Sequence, residues 1–269
     1  MSMQFVEDPD DPRVADYRDI RERDLTGRQG LFIAEGEVVL NTLLSPASRC
    51  RTRSVLMAAH RLDQRQELLA RVPDGVPVYA ASQAVLDRIA GFSLHRGMLA
   101  VGEKPPQPDL DTLLADLPER AVVLAASGVG NHDNMGGLFR NAAAFGAAAV
   151  LSDDLCCDPF YRKAIRVSVG AVLRTPTVAA TSLKALIDAL ERARFEVLAL
   201  TPAARTPLKA VQGRGRQALL VGSEGPGLPP DILSRLTTVG VPMAGGFDSL
   251  NVATAAALAL HQICDAAQA

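Results

Sequence analysis

The chain has 269 residues, of which 48 % are hydrophobic and 22 % are charged, and its formal net charge is −2 at pH 7. This composition excludes wholesale disorder, and the near balance of 28 basic and 30 acidic residues excludes a uniformly basic nucleic-acid binder. The apolar stretches are far shorter than the roughly 20 residues that a membrane helix needs, and the acidic N-terminus does not resemble a secretory signal. The four cysteines form no CxxC pair, so we expect a cytoplasmic protein with reduced thiols.

Residues 1–104 alternate short apolar runs with helical periods, which predicts a small α/β domain. The expected strands are Leu31–Ala34, Ser54–Met57 and Gly97–Val101, and the expected helices are Val38–Leu44, Gln64–Ala70 and Gln83–Ala90. Ser82 is a suitable N-cap for the last of these helices. The proline-rich stretch that follows forms neither helix nor regular sheet, so we place a linker at residues 105–118.

Residues 119–269 carry more strongly apolar strands, which are continuous rather than alternating and are therefore typical of a parallel sheet buried on both faces. The expected strands are Ala121–Ala126, Ala147–Leu151, Phe195–Leu200 and Ala218–Val221, and the expected helices are Met135–Phe145, Phe160–Val167 and Leu183–Arg194. An alanine-rich helix from Leu250 to Asp265 ends the chain, and it is thin enough for another backbone to approach closely.

The first of three informative segments, residues 127–146, follows a strand and opens a helix. Gly128 and Gly130 with a later Asp153 suggest a dinucleotide site, but the third glycine of that fingerprint is missing. Arg140 lies within an otherwise apolar helix, after Asn134 at the mouth of the same turn. The segment alone leaves open whether this arginine is salt-bridged or functional.

The second segment, residues 219–228, places Glu224 among three glycines after a buried strand. Such a loop lets backbone N–H groups approach a ligand. It lacks the Gly-Lys-Ser/Thr of a phosphate loop, and a carboxylate accepts hydrogen bonds from hydroxyls or amines. The alternative is an ordinary tight turn.

In the third segment, residues 241–256, a strand ends at Pro242 and a helix begins after a Gly-Gly loop. Ser249 or Asp248 is the expected N-cap of that helix. Asn251 is a poor residue for a helix interior but makes good polar contacts near a helix terminus. The alternative is that the segment is a helix cap and nothing more.

In their order and spacing the three segments resemble the motifs of the SpoU-type (TrmH-like) ribose 2′-O-methyltransferases of the SPOUT superfamily. The first motif is matched by Asn134, Gly136, Arg140, Ala142, Phe145 and Gly146. The second is matched by Gly222, Glu224, Gly225, Gly227 and Leu228, and the third by Pro242, Met243, Gly245, Ser249, Leu250, Asn251 and Val252. The N-terminal stretch, with Phe32–Gly36, is similar to the small substrate-binding domain that many members carry.

The resemblance implies transfer of a methyl group from S-adenosyl-L-methionine to a ribose 2′-hydroxyl of ribosomal or transfer RNA. The implied fold is α/β, with an RNA substrate-binding domain at residues 1–104 and a knotted SPOUT methyltransferase domain at residues 119–269. The implied cofactor contacts are Gly222, Gly227, Val241, Met243 and Leu250. The implied catalytic residues are Arg140, Asn134, Glu224, Ser249 and Asn251, with no metal.

Two departures from the family pattern bear on substrate choice. Asn131 and His132 stand where an acidic residue and a proline are usual, and Ala253 replaces a small polar residue. The resemblance also implies a homodimer with its site at the subunit junction and no membrane association. We expect RNA contacts from three basic groups: Arg162, Lys163, Arg166 and Arg174; Arg205, Lys209, Arg214 and Arg216; and Arg49, Arg51 and Arg53. The alternative for these groups is an ordinary solvated surface.

Two other functions remain compatible with parts of the sequence. A nicotinamide-dependent oxidoreductase would use the Gly128-x-Gly130 turn and would have no use for Glu224 or Asn251. A catalytically inactive RNA-binding module would not need Asn134 and Arg140, which are both intact.

Overall fold

The described part of the chain, residues 2–18, 25, 27, 30–94, 97–246 and 249–268, divides into two units in the computed structural model. The first unit consists of Met1–Pro105 together with Asp158–Arg174. The second consists of Pro106–Cys157 together with Thr175–Ala269. Each unit has its own sheet and its own apolar core.

The strands and helices run as follows in chain order. The strands are β1 (Ser2–Val6), β2 (Leu31–Glu35), β3 (Arg51–Ala58), β4 (Pro77–Ala81), β5 (Met98–Glu103), β6 (Ala121–Ala126), β7 (Ala149–Ser152), β8 (Thr177–Ala179), β9 (Glu196–Leu200), β10 (Thr206–Pro207), β11 (Arg216–Val221) and β12 (Thr237–Gly240). The α-helices are α1 (Glu37–Leu43), α2 (Gln66–Leu69), α3 (Gln83–Ala90), α4 (Leu110–Ala115), α5 (His132–Phe145), α6 (Arg162–Val167), α7 (Leu183–Arg192), α8 (Pro230–Arg235) and α9 (Val252–Gln268).

The first unit has a mixed sheet with the order β1-β4-β3-β5-β2. Strands β1, β4 and β3 are parallel, whereas β5 runs antiparallel to both β3 and β2. The helix α3 begins and ends where the sequence predicts, and Ser82 caps it by accepting a hydrogen bond from the backbone N–H of Val85. The predicted helix Gln64–Ala70 is wrong in part, because Arg65 leaves the helical region and only the one-turn helix α2 remains.

The second unit has a sheet with the order β10-β12-β9-β11-β6-β7-β8, and every pairing among these strands is parallel. All six residues of β6 are buried, which confirms the expectation of a strand covered on both faces. Helix α7 buries Leu186, Ile187 and Leu190 on the face that its periodicity predicts. None of the described helices has the length and apolarity to cross a membrane.

Residues 158–174, which the sequence places in the second domain, group instead with the first unit. The Phe160 ring lies 5.4 Å from the ring of Phe32, and Arg162 Nη1 lies 2.7 Å from Glu35 Oε2. Both aromatic rings are almost fully buried, at 2 % and 1 % exposure. The predicted domain boundary, a single linker at residues 105–118, is therefore incomplete. Residues 158–174 belong to the first unit because they supply core side chains and an ion pair to its sheet.

The predicted linker at residues 105–118 contains a helix that the sequence analysis omits. Asp109 caps α4 through a hydrogen bond from the backbone N–H of Thr112, at 3.1 Å. Leu113 and Leu114 of this helix are buried in the core of the second unit. The proline-rich run before Asp109 is correctly predicted as non-helical, but the regular structure resumes sooner than its composition suggests.

Candidate active site

The three segments singled out by sequence follow β6, β11 and β12, whose carboxyl ends lie on the same edge of the second sheet. A cavity of about 420 Å³ opens there, within the second unit. Its lining includes all the predicted cofactor contacts, Gly222, Gly227, Val241, Met243 and Leu250. Three of the predicted catalytic residues, Glu224, Ser249 and Asn251, also line it. The residues predicted from the sequence therefore meet at one cavity on the edge of the sheet where open α/β folds bind ligands.

The loop after β11 owes its shape to glycine. A Cβ added to Gly222 would lie 2.5 Å from the carbonyl carbon of Gly227 and 2.6 Å from the backbone nitrogen of Leu228. Gly225 and Gly227 have φ angles of +85° and +68°, in the left-handed region that disfavours other residues. Gly222 thus lets the loop fold back upon itself, so a side chain there would first displace backbone rather than simply occupy the space of a ligand.

A network of amides and one carboxylate joins the three motifs. Asn134 is 5 % exposed, and its Nδ2 donates a hydrogen bond to Glu224 Oε1. Asn251 Nδ2 donates to Asn134 Oδ1 at 2.8 Å. The buried Asn134 therefore links the helix after β6 to both cavity loops, and it fixes Glu224 and Asn251 in relation to each other.

The cap of α9 is Asn251 rather than Ser249. Asn251 Oδ1 accepts hydrogen bonds from the backbone N–H groups of Ala253, at 3.0 Å, and Thr254, at 3.2 Å. One side chain therefore starts the helix and also contacts Asn134. The expectation that Ser249 caps the helix is wrong because the oxygen of Asn251 occupies that role, while Asp248 falls outside the described residues.

Arg140 lies on α5 with its side chain exposed. It makes no hydrogen bond or ion pair with any residue in the described part of the chain, so the salt-bridged alternative finds no support there. It also lies outside the cavity lining. The guanidinium is consequently available to a molecule that binds at this surface.

Sequence reasoning passed over two residues that hold α5 against α9. Asn141 Nδ2 donates to the carbonyl oxygen of Ala253 at 2.7 Å, and a Cβ added to Gly137 would lie 2.7 Å from the Cβ of Ala253. The close approach confirms the prediction that the alanine-rich helix admits another backbone. Asn141 is seven residues, two helical turns, after Asn134, and this spacing was the available signal.

The departure at Asn131 also has a structural role. Its Oδ1 accepts hydrogen bonds from the backbone N–H groups of Asp133, at 2.8 Å, and Asn134, at 3.4 Å. Asn131 is therefore the N-cap of α5, and the helix begins three residues earlier than the predicted Met135.

The dinucleotide alternative fails at Asp153. This residue is 2 % exposed and accepts hydrogen bonds from Ser127 Oγ, at 2.6 Å, and from the backbone N–H groups of Gly128 and Leu155, at 3.0 and 3.2 Å. Both oxygens of its carboxylate accept hydrogen bonds from the turn after β6, and the residue is buried, so it cannot bind the hydroxyls of a ribose. Neither Gly128 nor Gly130 lines the cavity described above.

Cys156, which lies near this edge, does not supply a nucleophile. Burial raises the pKa of Cys156 to about 12, so its thiol stays protonated at neutral pH. Its sulfur accepts from the backbone N–H of Val129 at 3.3 Å, which supports the loop after β6. Within the described residues, no three His, Cys, Asp or Glu side chains are placed to hold a metal ion.

Several of the predicted RNA-contacting arginines have structural partners. Arg216 Nη1 donates to the carbonyl oxygens of Leu114 and Ala193, each at 3.2 Å, and its Nε donates to that of Pro118 at 3.1 Å. Arg214 lies 3.4 Å from Glu196, so Arg205 and Lys209 are the exposed cations of that group that form no ion pair within the described residues.

Comparison with known proteins agrees with this arrangement. The model of the SpoU rRNA Methylase family matches residues 121–261. A tRNA/rRNA methyltransferase of Mycobacterium bovis is 41 % identical over 97 % of this chain and 92 % of its own length. A 23S rRNA (guanosine-2′-O-)-methyltransferase of Acinetobacter baylyi is 31 % identical over 76 % of this chain and 85 % of its own.

Solved structures share the fold across almost the whole chain. An RNA 2′-O ribose methyltransferase superimposes with a TM-score of 0.80 at 26 % identity, covering 99 % of this chain and 100 % of that one. An AdoMet-bound rRNA methyltransferase from Sinorhizobium meliloti has a TM-score of 0.78 at 23 % identity, with 97 % of each chain covered. The predicted α/β fold with two domains is confirmed by these similarities.

Proposed function

The chain belongs to the SpoU rRNA methylase family, and from its site we infer that it transfers a methyl group from S-adenosyl-L-methionine to a ribose 2′-hydroxyl of RNA. The observation that carries this inference is the hydrogen-bonded set of Asn134, Glu224 and Asn251 beside the cavity. These side chains come from all three family motifs, and folding brings them into one network at the edge of the sheet.

The cavity suits the proposed cofactor. Its volume of about 420 Å³ falls within the range of small-molecule sites, roughly 300–1,000 Å³. Its lining combines the apolar side chains of Val241, Met243 and Leu250 with a glycine-rich loop. We assign the adenine edge to backbone N–H and C=O groups of Gly222, Val241 and Leu250, because backbone groups near glycine can approach a planar base closely.

When bound, S-adenosyl-L-methionine supplies a methyl group on a cationic sulfonium, whose departure as a neutral thioether needs no general acid. The bond between the 2′-oxygen and the methyl carbon would form as the carbon–sulfur bond breaks, and the hydroxyl proton would be released to solvent. The chain must therefore lower the cost of the negative charge that develops on the attacking 2′-oxygen. Arg140 is suited to this, because its guanidinium cation stabilises nearby negative charge. It also matches the geometry of the adjacent phosphate.

The amide network positions the groups around that oxygen. Asn134 is itself held by Glu224 and Asn251, so its orientation is set before substrate arrives. Ser249 is exposed in the cavity lining and can donate to the ribose or accept from it. Glu224 is exposed with one oxygen bonded to Asn134, and it can accept a hydrogen bond from the substrate with the other.

We propose that the protein acts as a homodimer, with Arg140 serving a site at the subunit junction. Two features support this proposal. Arg140 lies outside the lining of the cavity in its own chain. Leu258, on the same α9 helix that packs against α5, is 46 % exposed, and Leu250 is 44 % exposed at the cavity. The knot that the resemblance implies remains a prediction.

The decisive test is an activity assay with two binding controls. Purified protein, S-adenosyl-L-methionine and total RNA should yield 2′-O-methylated nucleosides by mass spectrometry after digestion. Calorimetry should show binding of S-adenosylhomocysteine and none of NAD. Binding of NAD alone would favour the oxidoreductase, and cofactor binding without methylation of any RNA would favour an inactive RNA-binding module. Mapping the 2′-O-methylation lost in a deletion strain would then identify the RNA and the nucleotide.

A further inference from the structure

Two long stretches without an acidic residue contribute to the first unit. Residues 38–62 carry Arg49, Arg51, Arg53 and Arg61, and residues 159–187 carry Arg162, Lys163, Arg166, Arg174 and Lys184. They are far apart in sequence, and the part of the second stretch up to Arg174 belongs to this unit. An overall charge of −2 conceals this local excess of positive charge.

The fold brings the two stretches together at one point. The backbone N–H of Arg49 donates to the carbonyl oxygen of Leu173 at 2.9 Å. The thiol of Cys50 lies 3.7 Å from the same oxygen. Arg174 follows directly in the chain, so these contacts bring the backbone of Arg49 close to that of Arg174, and both residues are exposed on the first unit.

The arginines of this unit fall into two sets, those that form ion pairs within the unit and those that form none and can contact a ligand. Arg162 and Arg166 both face the buried carboxylate of Glu35, at 2.7 and 3.9 Å. Arg53 lies 3.4 Å from Asp16. These three arginines therefore have partners within the unit.

Arg49, Arg51 and Arg174 are exposed, and their guanidinium groups contact no acceptor in the part of the chain that the structure describes. Although Arg51 is the register partner of Glu103 on β5, the two side chains form no ion pair. We call these three residues the composite arginine surface, because two separate stretches of sequence build it.

Five residues before Arg174, the backbone is held in a conformation that is unfavourable for the residue there. Val169 has a φ angle of +57°, which is a strained value for a β-branched residue. The turn is fixed by hydrogen bonds from Gly170 N–H to the Ile165 oxygen, at 3.0 Å, and from Ser168 Oγ to the same oxygen, at 2.8 Å. Such strain persists where the surrounding structure enforces a shape, and it is concentrated at functional sites.

We propose that the composite arginine surface binds phosphates of the substrate RNA backbone, and this inference rests on the proposed function. Arginine is the residue best matched to phosphate, since its fork of N–H donors bonds two oxygens at once. Phosphate contacts fix the register of a nucleic acid without reading its sequence. The surface therefore orients the RNA, and recognition of the nucleotide occurs elsewhere.

The test compares a triple variant, R49Q/R51Q/R174Q, with the exposed pair of the second unit, R205Q/K209Q. Glutamine keeps most of the side-chain stem and removes the charge. Binding of a transcript that the wild type methylates is measured by fluorescence anisotropy from low to moderate salt. We expect the triple variant to bind at least tenfold more weakly. The slope of log K against log salt should become shallower by about 2, because each phosphate that a cation neutralises contributes about 0.7–0.9 to it.

Other readouts separate this surface from the catalytic site and from folding. Affinity for S-adenosylhomocysteine and the thermal midpoint should match the wild type, and an unrelated structured RNA should show the same loss. Wild-type affinity and slope in the triple variant would overturn the inference and leave the methyltransferase activity standing. A loss confined to the substrate RNA, or an equal loss in R205Q/K209Q, would also overturn it. Failure of the wild type to methylate any RNA would refute the proposed function itself.

Discussion

The two edges of the parallel sheet in the second unit use polar residues in opposite ways. At the amino edge, beside a smaller cavity of about 230 Å³, Gln217 is 2 % exposed and fully bonded. Its Nε2 donates to Glu196 Oε2 at 3.1 Å and to the Gln212 carbonyl at 3.2 Å, while its Oε1 accepts from the Arg214 backbone at 3.1 Å. At the carboxyl edge, Glu224 and Ser249 are exposed and line the cavity.

This difference shows that polar residues beside a cavity do not by themselves indicate a ligand-binding site. Buried polar groups need partners, and at the amino edge they find them in one another, which stabilises the fold. At the carboxyl edge the buried Asn134 is also hydrogen-bonded, but its partners are Glu224 and Asn251, which line the cavity. Glu224 has a second carboxylate oxygen that can still accept a hydrogen bond from a ligand. The contrast yields predictions that separate activity from stability.

The largest effect is expected from Arg140→Ala. Turnover should fall by ~10²-fold or more, because the variant lacks the cation that stabilises charge on the attacking oxygen. Affinity for S-adenosylhomocysteine should stay within a few-fold of the wild type, since Arg140 lies outside the cavity lining. Single-turnover methylation and calorimetry measure the two quantities, and near-normal turnover would remove Arg140 from the mechanism.

Gly222→Val should weaken cofactor binding by about tenfold or more, because the new side chain collides with the backbone of Gly227 and Leu228 and displaces the loop. Calorimetry with S-adenosylhomocysteine is the measurement. Gly130→Ala is the matched control, since a Cβ at that position meets nothing within 4 Å. Unchanged affinity in Gly222→Val would exclude this loop from the cofactor site.

Arg216→Met at the amino edge should lower the free energy of unfolding by ~2 kcal/mol, because several carbonyl oxygens lose a charged donor. The turnover of the folded enzyme should be unchanged. Arg214→Gln, which removes an exposed ion pair, should cost less than about 1 kcal/mol. Denaturant titration and methylation assays together test the contrast, and it would be falsified if Arg216→Met impaired turnover without affecting stability.

Asn141→Asp should have the smallest effect. The carboxylate preserves the shape of the side chain but cannot donate to the Ala253 carbonyl, so the start of α9 is less firmly held. We expect the KM for S-adenosyl-L-methionine to rise several-fold, equivalent to ~1 kcal/mol, with kcat little changed. Steady-state kinetics distinguish this outcome from a loss of kcat, which would argue for a direct role in catalysis.

The sequence predicts strands and helices best where one physical signal dominates. The uninterrupted apolar run of β6 and the capped amphipathic helix α3 are predicted to the residue. Strands β1, β4, β8 and β10 were not predicted: β4 begins with proline and contains alanines, and β8 and β10 have only three and two residues. Pairing with longer neighbours, rather than intrinsic propensity, makes these segments strands.

The cavity-lining residues were named from the resemblance of the three segments to the family motifs, and the topology agrees because the segments follow strands whose carboxyl ends lie at one edge of the sheet. The partners of those residues were not predictable. Nothing in the spacing of Asn134, Glu224 and Asn251 indicates that their side chains bond to one another. Likewise, Arg216 has the same local sequence character as Arg205, yet the fold places its guanidinium against carbonyl groups from two distant turns.

Because residues 158–174 belong to the first unit, they affect when that unit can fold during synthesis of the chain. When Pro105 has been synthesised, the first sheet has all its strands but still lacks Phe160 against Phe32 and Arg162 against Glu35. At ~5–20 residues per second, these partners follow after a delay on the order of several seconds. During that interval Phe32 lacks its contact with Phe160 and Glu35 lacks its ion pair with Arg162, so the N-terminal unit of the nascent chain cannot complete its folding until residues 106–157 of the second unit have also been translated.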